Sequence, residues 1–249
     1  MINIKSIREI ELIKRSSEIL IETFQLIDRL IEPGIVTRQI DREVEKFILS
    51  KGAKPAFKGY RGFPASVCIS IDDQVVHGIP NDRKLELGQI VGIDIGVEKK
   101  NYFSDAAKTY QIGEITDDIK RLLQITEQAL QRGIDAAQEN HRLSDISHVI
   151  QQHVEKAGFS VVRDLVGHGI GKQLHEDPQI PNYGKPNQGP RLKPGMVLAI
   201  EPMVNMGDYR VVFDNDKWTV RTADGLPSAH FEHTVLITNN QPEILTLGR

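Results

Sequence analysis

The sequence repeats its own punctuation at a fixed distance, and this repeat limits what the chain can fold into. Thr37 and Ser144, Gly88 and Gly195, and Asp94 and Glu201 are each 107 residues apart, while Gly52 and Gly158 are 106 apart. The intervening segments agree in kind. Ile4, Ile7, Ile13, Leu20, Phe24, Ile27 and Ile31 recur at helical spacing until Pro33-Gly34, and Ile119, Leu122, Leu123, Leu130 and Ile134 do so after Asp117-Asp118. Thr37 and Ser144 then stand as N-caps of second helices, with Ile40, Val44, Phe47 and Ile48 or Ile146, Val149, Ile150 and Val154 on one face, closed by Gly52 and Gly158. Leu87-Gly88 and Leu192-Lys193-Pro194-Gly195 lead into strands over 90–97 and 196–200, and a further strand covers 67–71. Two copies are too few for a solenoid. The repeat therefore predicts one α+β domain over 1–249, made of two pseudo-two-fold-related halves at about 1–113 and 114–249, with their strands joined around a central site.

Charged residues interrupt those apolar strands. Asp94 lies in Ile93-Asp94-Ile95 and Asp105 in Phe103-Ser104-Asp105-Ala106, with Glu98-Lys99-Lys100-Asn101 as the expected turn between them. A four-residue loop would pair Val97 with Tyr102 and set Asp94 directly opposite Asp105. Two like charges at about 4 Å repel by about 4 kcal/mol at an effective dielectric near 20, so such a pair needs a cation or a shared proton. Taken alone, the pair also fits two solvated acids on an edge hairpin. His168 sits in Gly167-His168-Gly169-Ile170-Gly171, where it reads equally as a turn residue, and His175 sits near a turn in Leu174-His175-Glu176-Asp177-Pro178. Glu201 ends Leu198-Ala199-Ile200-Glu201, and Glu232 is embedded in Phe231-Glu232-His233-Thr234-Val235-Leu236-Ile237. Strand alternation puts His230 on the face of Glu232, beside the ligands, and turns His233 away. Asp94, Asp105, His168, Glu201 and Glu232 together make an oxygen-rich set that suits a pair of divalent ions such as Mn²⁺, Fe²⁺ or Co²⁺ better than a thiolate or single tetrahedral site.

Composition removes other classes. A net charge of −3 opposes a protein built to wrap nucleic acid, and Lys5, Arg8, Lys14 and Arg15 read as a solvated helix face. The single Cys68 permits no internal disulfide and reads as a small buried hydrophobe on a strand. Glu9, Glu11, Lys14, Arg15 and Glu18 break any signal-peptide core, and no apolar run reaches membrane-spanning length, so the expected location is the cytoplasm.

The ordered set Val76-His77-Gly78-Ile79-Pro80, the hairpin from Asp94 to Asp105, Gly167-His168-Gly169-Ile170-Gly171, Leu174-His175-Glu176-Asp177-Pro178, Ile200-Glu201-Pro202-Met203 and Phe231-Glu232-His233-Thr234 resembles type I methionine aminopeptidases of the short bacterial form over almost the whole chain. The resemblance implies the pita-bread (creatinase/aminopeptidase) fold, with two α+β halves around a central antiparallel sheet. It also implies a dinuclear centre in which Asp94 chelates one metal, His168 and Glu201 bind the other, and Asp105 and Glu232 bridge both. The metals, Co, Mn or Fe, would activate the attacking water. Glu201 would act as general base and then acid, His175 would hydrogen-bond the carbonyl or developing oxyanion, and His77 would contact the scissile amide or help shuttle a proton. Tyr60, Phe63, Cys68, Leu174 and Trp218 would cage the first side chain. Leu174 and Val76 depart from the Phe and second Cys that several members of the family carry. The implied reaction is removal of N-terminal methionine when the second residue is small. The expected partners are nascent polypeptide N-termini and the ribosome, with no membrane, no direct nucleic-acid readout and a monomeric state.

Three rivals share features of this reading. Xaa-Pro aminopeptidases and prolidases usually carry an additional N-terminal domain, and this chain begins on the first helix of the catalytic unit. A type II methionine aminopeptidase would carry a helical insertion between Glu201 and Glu232, where no helical pattern is found. A binding protein that kept the fold would lose ligands, and all five are present. The resemblance is to the short bacterial form, which is expected to do without the N-terminal zinc-finger extension of eukaryotic cytosolic type I members.

Overall fold

A computed structural model describes residues 2–248. In the first half, α1 (Ile7–Leu30) and α2 (Thr37–Ser50) precede β1 (Lys54–Pro55), β2 (Cys68–Ile71), β3 (Gln74–Val76), β4 (Ile90–Lys99) and β5 (Tyr102–Gln111). In the second, α3 (Asp117–Ala136) and α4 (Leu143–Lys156) precede β6 (Ser160–Val161), β7 (Val166–Gly169), β8 (Glu176–Pro181), β9 (Val197–Ile200), β10 (Met203–Asn205), β11 (Val211–Phe213), β12 (Val220–Thr222), β13 (Ser228–His230), β14 (Glu232–Leu236) and β15 (Glu243–Ile244). No described helix is long and apolar enough to cross a membrane.

The main sheet runs β1-β4-β5-β14-β9-β7-β8, with β2 also on β4 and β15 also on β14. Its pairings are antiparallel. At its centre β5 meets β14, with Glu232 opposite Ala107 and His233 opposite Ala106. β4 and β9, the strands that carry the 107-residue repeat, flank this pair. The pseudo-two-fold axis thus passes between β5 and β14. Small antiparallel sheets, β13-β10-β6 and β11-β12-β3, close the second side.

Alternation along each central strand separates core from site. Val91, Ile93, Ile95 and Val97 of β4 are buried in one cluster with Leu20 and Ile27 of α1 and Ile40, Val44 and Ile48 of α2. Leu198, Ile200 and Val235 are buried with Leu122, Leu130 and Ile134 of α3 and Ile146, Ile150 and Val154 of α4. Each half therefore puts its helices on one face of the sheet, and the acids of β4, β5 and β14 emerge on the other. A capping box starts α1, with Ser6 N–H donating to Glu9 Oε2 (2.9 Å) and Glu9 N–H to Ser6 Oγ (3.4 Å).

Three local expectations change. Thr37 is the first residue inside α2 after N-cap Val36, and its hydroxyl donates to Asn81 O and accepts from Asn81 N–H, both at 2.9 Å. Ser144 lies inside α4, whose N-cap is Arg142; the Arg142 N–H donates to Asp145 (2.7 Å), while Ser144 Oγ accepts from Gln188 N–H (2.7 Å). Both hydroxyls serve the loops that return to the helix starts, a use that sequence shares with capping. The hairpin turn is the two-residue Lys100-Asn101, with φ of 53° and 62°, and Lys99 pairs with Tyr102. Such a turn matches the twist of the flanking strands. It moves the register by two, so Asp94 faces Ala107 and Asp105 faces Gly96. The two acids are diagonal neighbours on one face, where long side chains still meet.

Candidate active site

Four elements and one strand end deliver the acids and imidazoles to a single point. Asp94 projects from β4, Asp105 from β5, His168 from β7 and Glu232 from β14, and Glu201 follows the last residue of β9. The backbone of Asp105 is clamped from both sides by Thr234, whose Oγ1 accepts from Asp105 N–H (3.0 Å) and donates to Asp105 O (2.8 Å). The glycines around His168 are there for room rather than for a turn: a Cβ at Gly167 or Gly169 would collide with the carbonyls of Ala199 or Asp177. His168 itself pairs with Ala199 in the sheet.

Hydrogen bonding fixes the imidazole. His168 Nδ1 lies 2.8 Å from the carbonyl oxygen of Gly169, which can only accept, so Nδ1 carries a proton and Nε2 is the nitrogen turned to the carboxylates. That Nε2 is 3.6 Å from Glu201 Oε1 and 4.0 Å from Asp105 Oδ2. Donor atoms of Asp105, His168 and Glu232 lie within 4.8 Å of one another, as do those of Glu201, His230 and Glu232. Asp105, His168, His230 and Glu232 are buried, whereas Asp94 and Glu201 are partly open to the cavity.

Electrostatics of this cluster favour a cation. Asp94 Oδ1, Asp105 Oδ1 and Glu232 Oε1 are buried with no hydrogen-bond partner. Burial pushes the Asp94 and Glu201 carboxyls up to about 7, and burial with neighbouring carboxylates drives Asp105 and Glu232 well above the usual range. Either protons or a cation would offset this crowding of buried carboxyls, and a cation would also offer a partner to the orphaned oxygens. An oxygen-rich donor set with imidazole nitrogen fits a divalent transition ion, so the residues present suit a metal centre.

Beside the cluster lies a cavity of about 160 Å³. Tyr60, Phe63, Cys68, Leu174 and Trp218, each anticipated from sequence, all line it, together with Phe57 and Arg61, which were not anticipated. Phe63 meets Trp218 edge to face at 5.2 Å, and the His77 ring stands edge-on to Trp218 at 6.3 Å. Asp216 Oδ1 accepts from the N–H groups of Trp218 and Thr219, both at 2.8 Å, which holds the tryptophan segment. Cys68 is a buried thiol on β2, opposite Asp94, and burial pushes its pKa up, so it acts as packing.

Two further imidazoles face the cavity. His175 Nδ1 lies 2.9 Å from the Tyr60 hydroxyl, the two rings stack at 5.2 Å, and the His168 ring is 4.2 Å away. With Tyr60 donating to Nδ1, the His175 proton sits on Nε2. Burial, then His168 and Arg61, lower His175 to about 3; burial and then His230 lower His77 to about 4. Both rings are neutral at pH 7. His77 has φ of 59°, an uncommon conformation for a residue other than glycine. His233 points away, with its Nδ1 2.9 Å from Thr246 Oγ1. His230, in contrast, faces the cluster, with a donor atom within 4.8 Å of donor atoms of both Glu201 and Glu232. Its two-residue spacing from Glu232 is the signal that finds it.

The Metallopeptidase family M24 model matches residues 11–239. A methionine aminopeptidase of Clostridium perfringens is 54% identical over 247 residues, covering 99% of both chains, and methionine aminopeptidase 1 of Bacillus subtilis is 52% identical, also covering 99% of both. The crystal structure of methionine aminopeptidase from Thermotoga maritima superposes with a TM-score of 0.98 at 44% identity, covering 100% of each chain. The duplicated α+β arrangement around the central antiparallel sheet is the pita-bread fold. With this fold, this site and these relatives, the chain belongs to metallopeptidase family M24, among its type I methionine aminopeptidases.

Proposed function

We propose that this hydrolase removes the N-terminal methionine of nascent polypeptides in the cytoplasm when the second residue is small. One observation carries the reading: five potential ligands from separate segments converge on the wall of an apolar cavity that also holds two neutral imidazoles. Asp94, Asp105, His168, Glu201 and Glu232 would hold two divalent ions, of Co, Mn or Fe. Such ions, when bound, lower the pKa of water and polarise a carbonyl.

The chain's own groups do the rest. Tyr60, Phe63, Cys68, Leu174 and Trp218 receive the methionine side chain and exclude water from it. His175, held by Tyr60, points its Nε2–H at the carbonyl oxygen of the scissile bond, where a neutral donor meets the negative charge that develops. His77 contacts the scissile amide on the opposite side. Glu201, partly open to the cavity, accepts the proton of the attacking water and returns it to the departing amine. The substrate's new N-terminus leaves along the route that a bulky second side chain would block. The enzyme acts as a monomer on chains emerging from the ribosome.

The test compares kcat/KM for Met-Ala-Ser, Met-Leu-Ser, Leu-Ala-Ser and Met-Pro-Ser with an Xaa-Pro dipeptide, all under one metal. Metal-dependent release of free methionine from Met-Ala-Ser, with Met-Leu-Ser slower by two orders of magnitude or more, is expected. A displacement of the scissile bond by about 1 Å can cost on the order of a hundred-fold. Equal rates for Met-Ala-Ser and Met-Leu-Ser would remove the steric gate, and a preference for the Xaa-Pro dipeptide would place the chain with the proline-specific peptidases.

A further inference from the structure

The two oxygens of Glu201 each face an imidazole at the same distance. His168 Nε2 lies 3.6 Å from Oε1, and His230 Nε2 lies 3.6 Å from Oε2. His230 ends β13, and its backbone is fixed by Thr109, whose Oγ1 accepts from His230 N–H (3.0 Å) and donates to His230 O (2.8 Å). Pairing with Met203 holds the other edge. The ring is 3% exposed, and its Nε2 has no hydrogen-bond partner. A buried imidazole in a packed core ordinarily satisfies its nitrogens; this one ends within 4.8 Å of ligand atoms from both Glu201 and Glu232.

The separation itself discriminates between roles. An N–H···O bond brings its heavy atoms to about 2.7–3.2 Å. Two donors that share one ion, each about 2.0–2.2 Å from it, stand roughly 3–4 Å apart. His230 and Glu201 show the second spacing, as His168 and Glu201 do.

We propose that His230 is a sixth ligand of the metal centre: its Nε2 coordinates the ion held by Glu201 and Glu232, so that the carboxylate of Glu201 lies between two metal-binding imidazoles. This rests on the metal-centre reading above. A second nitrogen donor changes the chemistry of the site, since imidazole suits Fe, Co, Ni and Zn while an all-oxygen site suits Mn and Mg. The centre would thereby favour the later ions in that series.

Metal-stripped wild type, His230→Ala and His230→Gln are titrated with Co²⁺, followed by calorimetry and by the visible absorption of the bound ion. X-ray absorption on the loaded proteins counts imidazoles per cobalt. The wild type is expected to take up two ions with an average of about one imidazole per cobalt, both imidazoles lying on the ion that Glu201 holds. Both variants are expected to bind one of the two ions at least tenfold more weakly, with a changed visible spectrum and about half the imidazole count. His230→Gln is close in volume and polarity, so it carries the test if His230→Ala does not fold, and unfolding of the metal-free proteins checks this. Unchanged affinity and spectrum in both variants would overturn the proposal. So would weaker binding with an unchanged imidazole count, because His230 would then act only by orienting Glu201. A wild type that binds no cobalt would instead overturn the metal-centre reading itself, and the proposal with it.

Discussion

Lys5 and Glu176 form an ion pair in which both side chains are almost fully buried, at 4% and 6% exposure. Glu176 follows His175, and it also accepts from Asn3 Nδ2 (3.2 Å) and Gln173 N–H (3.1 Å). Burial raises its carboxyl, but the bonds from Lys5, Asn3 and Gln173 outweigh this and hold it below the usual carboxylate range. The segment before α1 is itself anchored, with Lys5 N–H donating to Gly195 O at 2.7 Å. The N-terminal segment thus fixes the loop that presents His175.

Removing one member of a buried pair strands the other charge, at a cost of about 3–5 kcal/mol. Lys5→Ala should lower the thermal midpoint and reduce kcat more than it raises KM, because His175 is no longer held against Tyr60. The double variant Lys5→Ala/Glu176→Ala should lose less stability than the two single losses added together. Additive losses measured by denaturant unfolding would show that the pair does not act as a unit.

His175→Ala should keep its metal and its fold yet lose roughly a hundred- to a thousand-fold in kcat, the scale for deleting one oxyanion donor. Tyr60→Phe should lose less, since the ring remains stacked and only the bond to Nδ1 disappears. Metal analysis beside steady-state kinetics separates these outcomes. Wild-type turnover in His175→Ala would end its assignment.

Asp105→Ala and Glu232→Ala should release more metal than His175→Ala, because each deletes a buried carboxylate whose outer oxygen has no other partner. Atomic emission on dialysed samples provides the measure. Full dinuclear occupancy in Glu232→Ala would rule out a bridging role.

The metal-free protein should become less stable as pH rises from about 6.5 to 8.5. Asp94 and Glu201, raised by burial to about 7, hold protons in the folded state that unfolded carboxyls near pH 4 have already lost. Their contribution is therefore fully present below the unfolded pKa and disappears as pH passes through the folded value. Each group costs up to about 1.4 kcal/mol per pH unit between its unfolded and folded pKa and nothing above the latter, so Asp94 and Glu201 act up to about 7, while Asp105 and Glu232, driven well above the usual carboxylate range, carry the decline beyond it. His77 and His175 are neutral in both states above their unfolded value near 6.5 and add no slope there. Saturating metal should flatten or reverse the trend, since the cation replaces the protons. Melting curves at several pH values, with and without metal, test this; a metal-free midpoint that rises across the window would contradict the protonated cluster.

Much of this architecture is legible in sequence because its determinants are local. Apolar periodicity marks α1 to α4, and the 107-residue repeat foretells that β4 and β9 flank the axis. What escapes depends on distant partners. The hydroxyls of Thr37 and Ser144 bond Asn81 and Gln188, across gaps of 44 residues each, so capping chemistry misassigns them by a residue or two. The hairpin register hinges on whether Lys99 and Glu98 belong to turn or strand, and only the left-handed Lys100-Asn101 pair decides it. Lys5 reads as part of a basic helix face until its acid appears from 171 residues away. Arg61 and Phe57 join the cavity through a glycine-rich loop without periodicity.

Phe63 offers a test of how the cavity chooses the first residue. It is 4% exposed and stands between Phe57, 6.5 Å away, and Trp218, 5.2 Å away, each edge to face. Phe63→Ala would open space beside the substrate side chain and cost about 3–5 kcal/mol of stability if the neighbours do not close in. Phe63→Leu removes less volume and should fold. Leu has as many side-chain heavy atoms as Met but branches where Met runs straight, and a misfit on the scale of one methylene in such a pocket is worth about 1–3 kcal/mol, so the wild type should prefer Met over Leu at the first position by roughly ten- to two-hundred-fold. In Phe63→Leu that ratio should narrow, mainly through slower turnover of Met-Ala-Ser, while discrimination against Met-Leu-Ser persists because the second residue lies on the far side of the scissile bond. The comparison is kcat/KM for Met-Ala-Ser, Leu-Ala-Ser and Met-Leu-Ser in both proteins. If the Met-to-Leu ratio stayed unchanged, Phe63 would be packing for Trp218 rather than part of the cage.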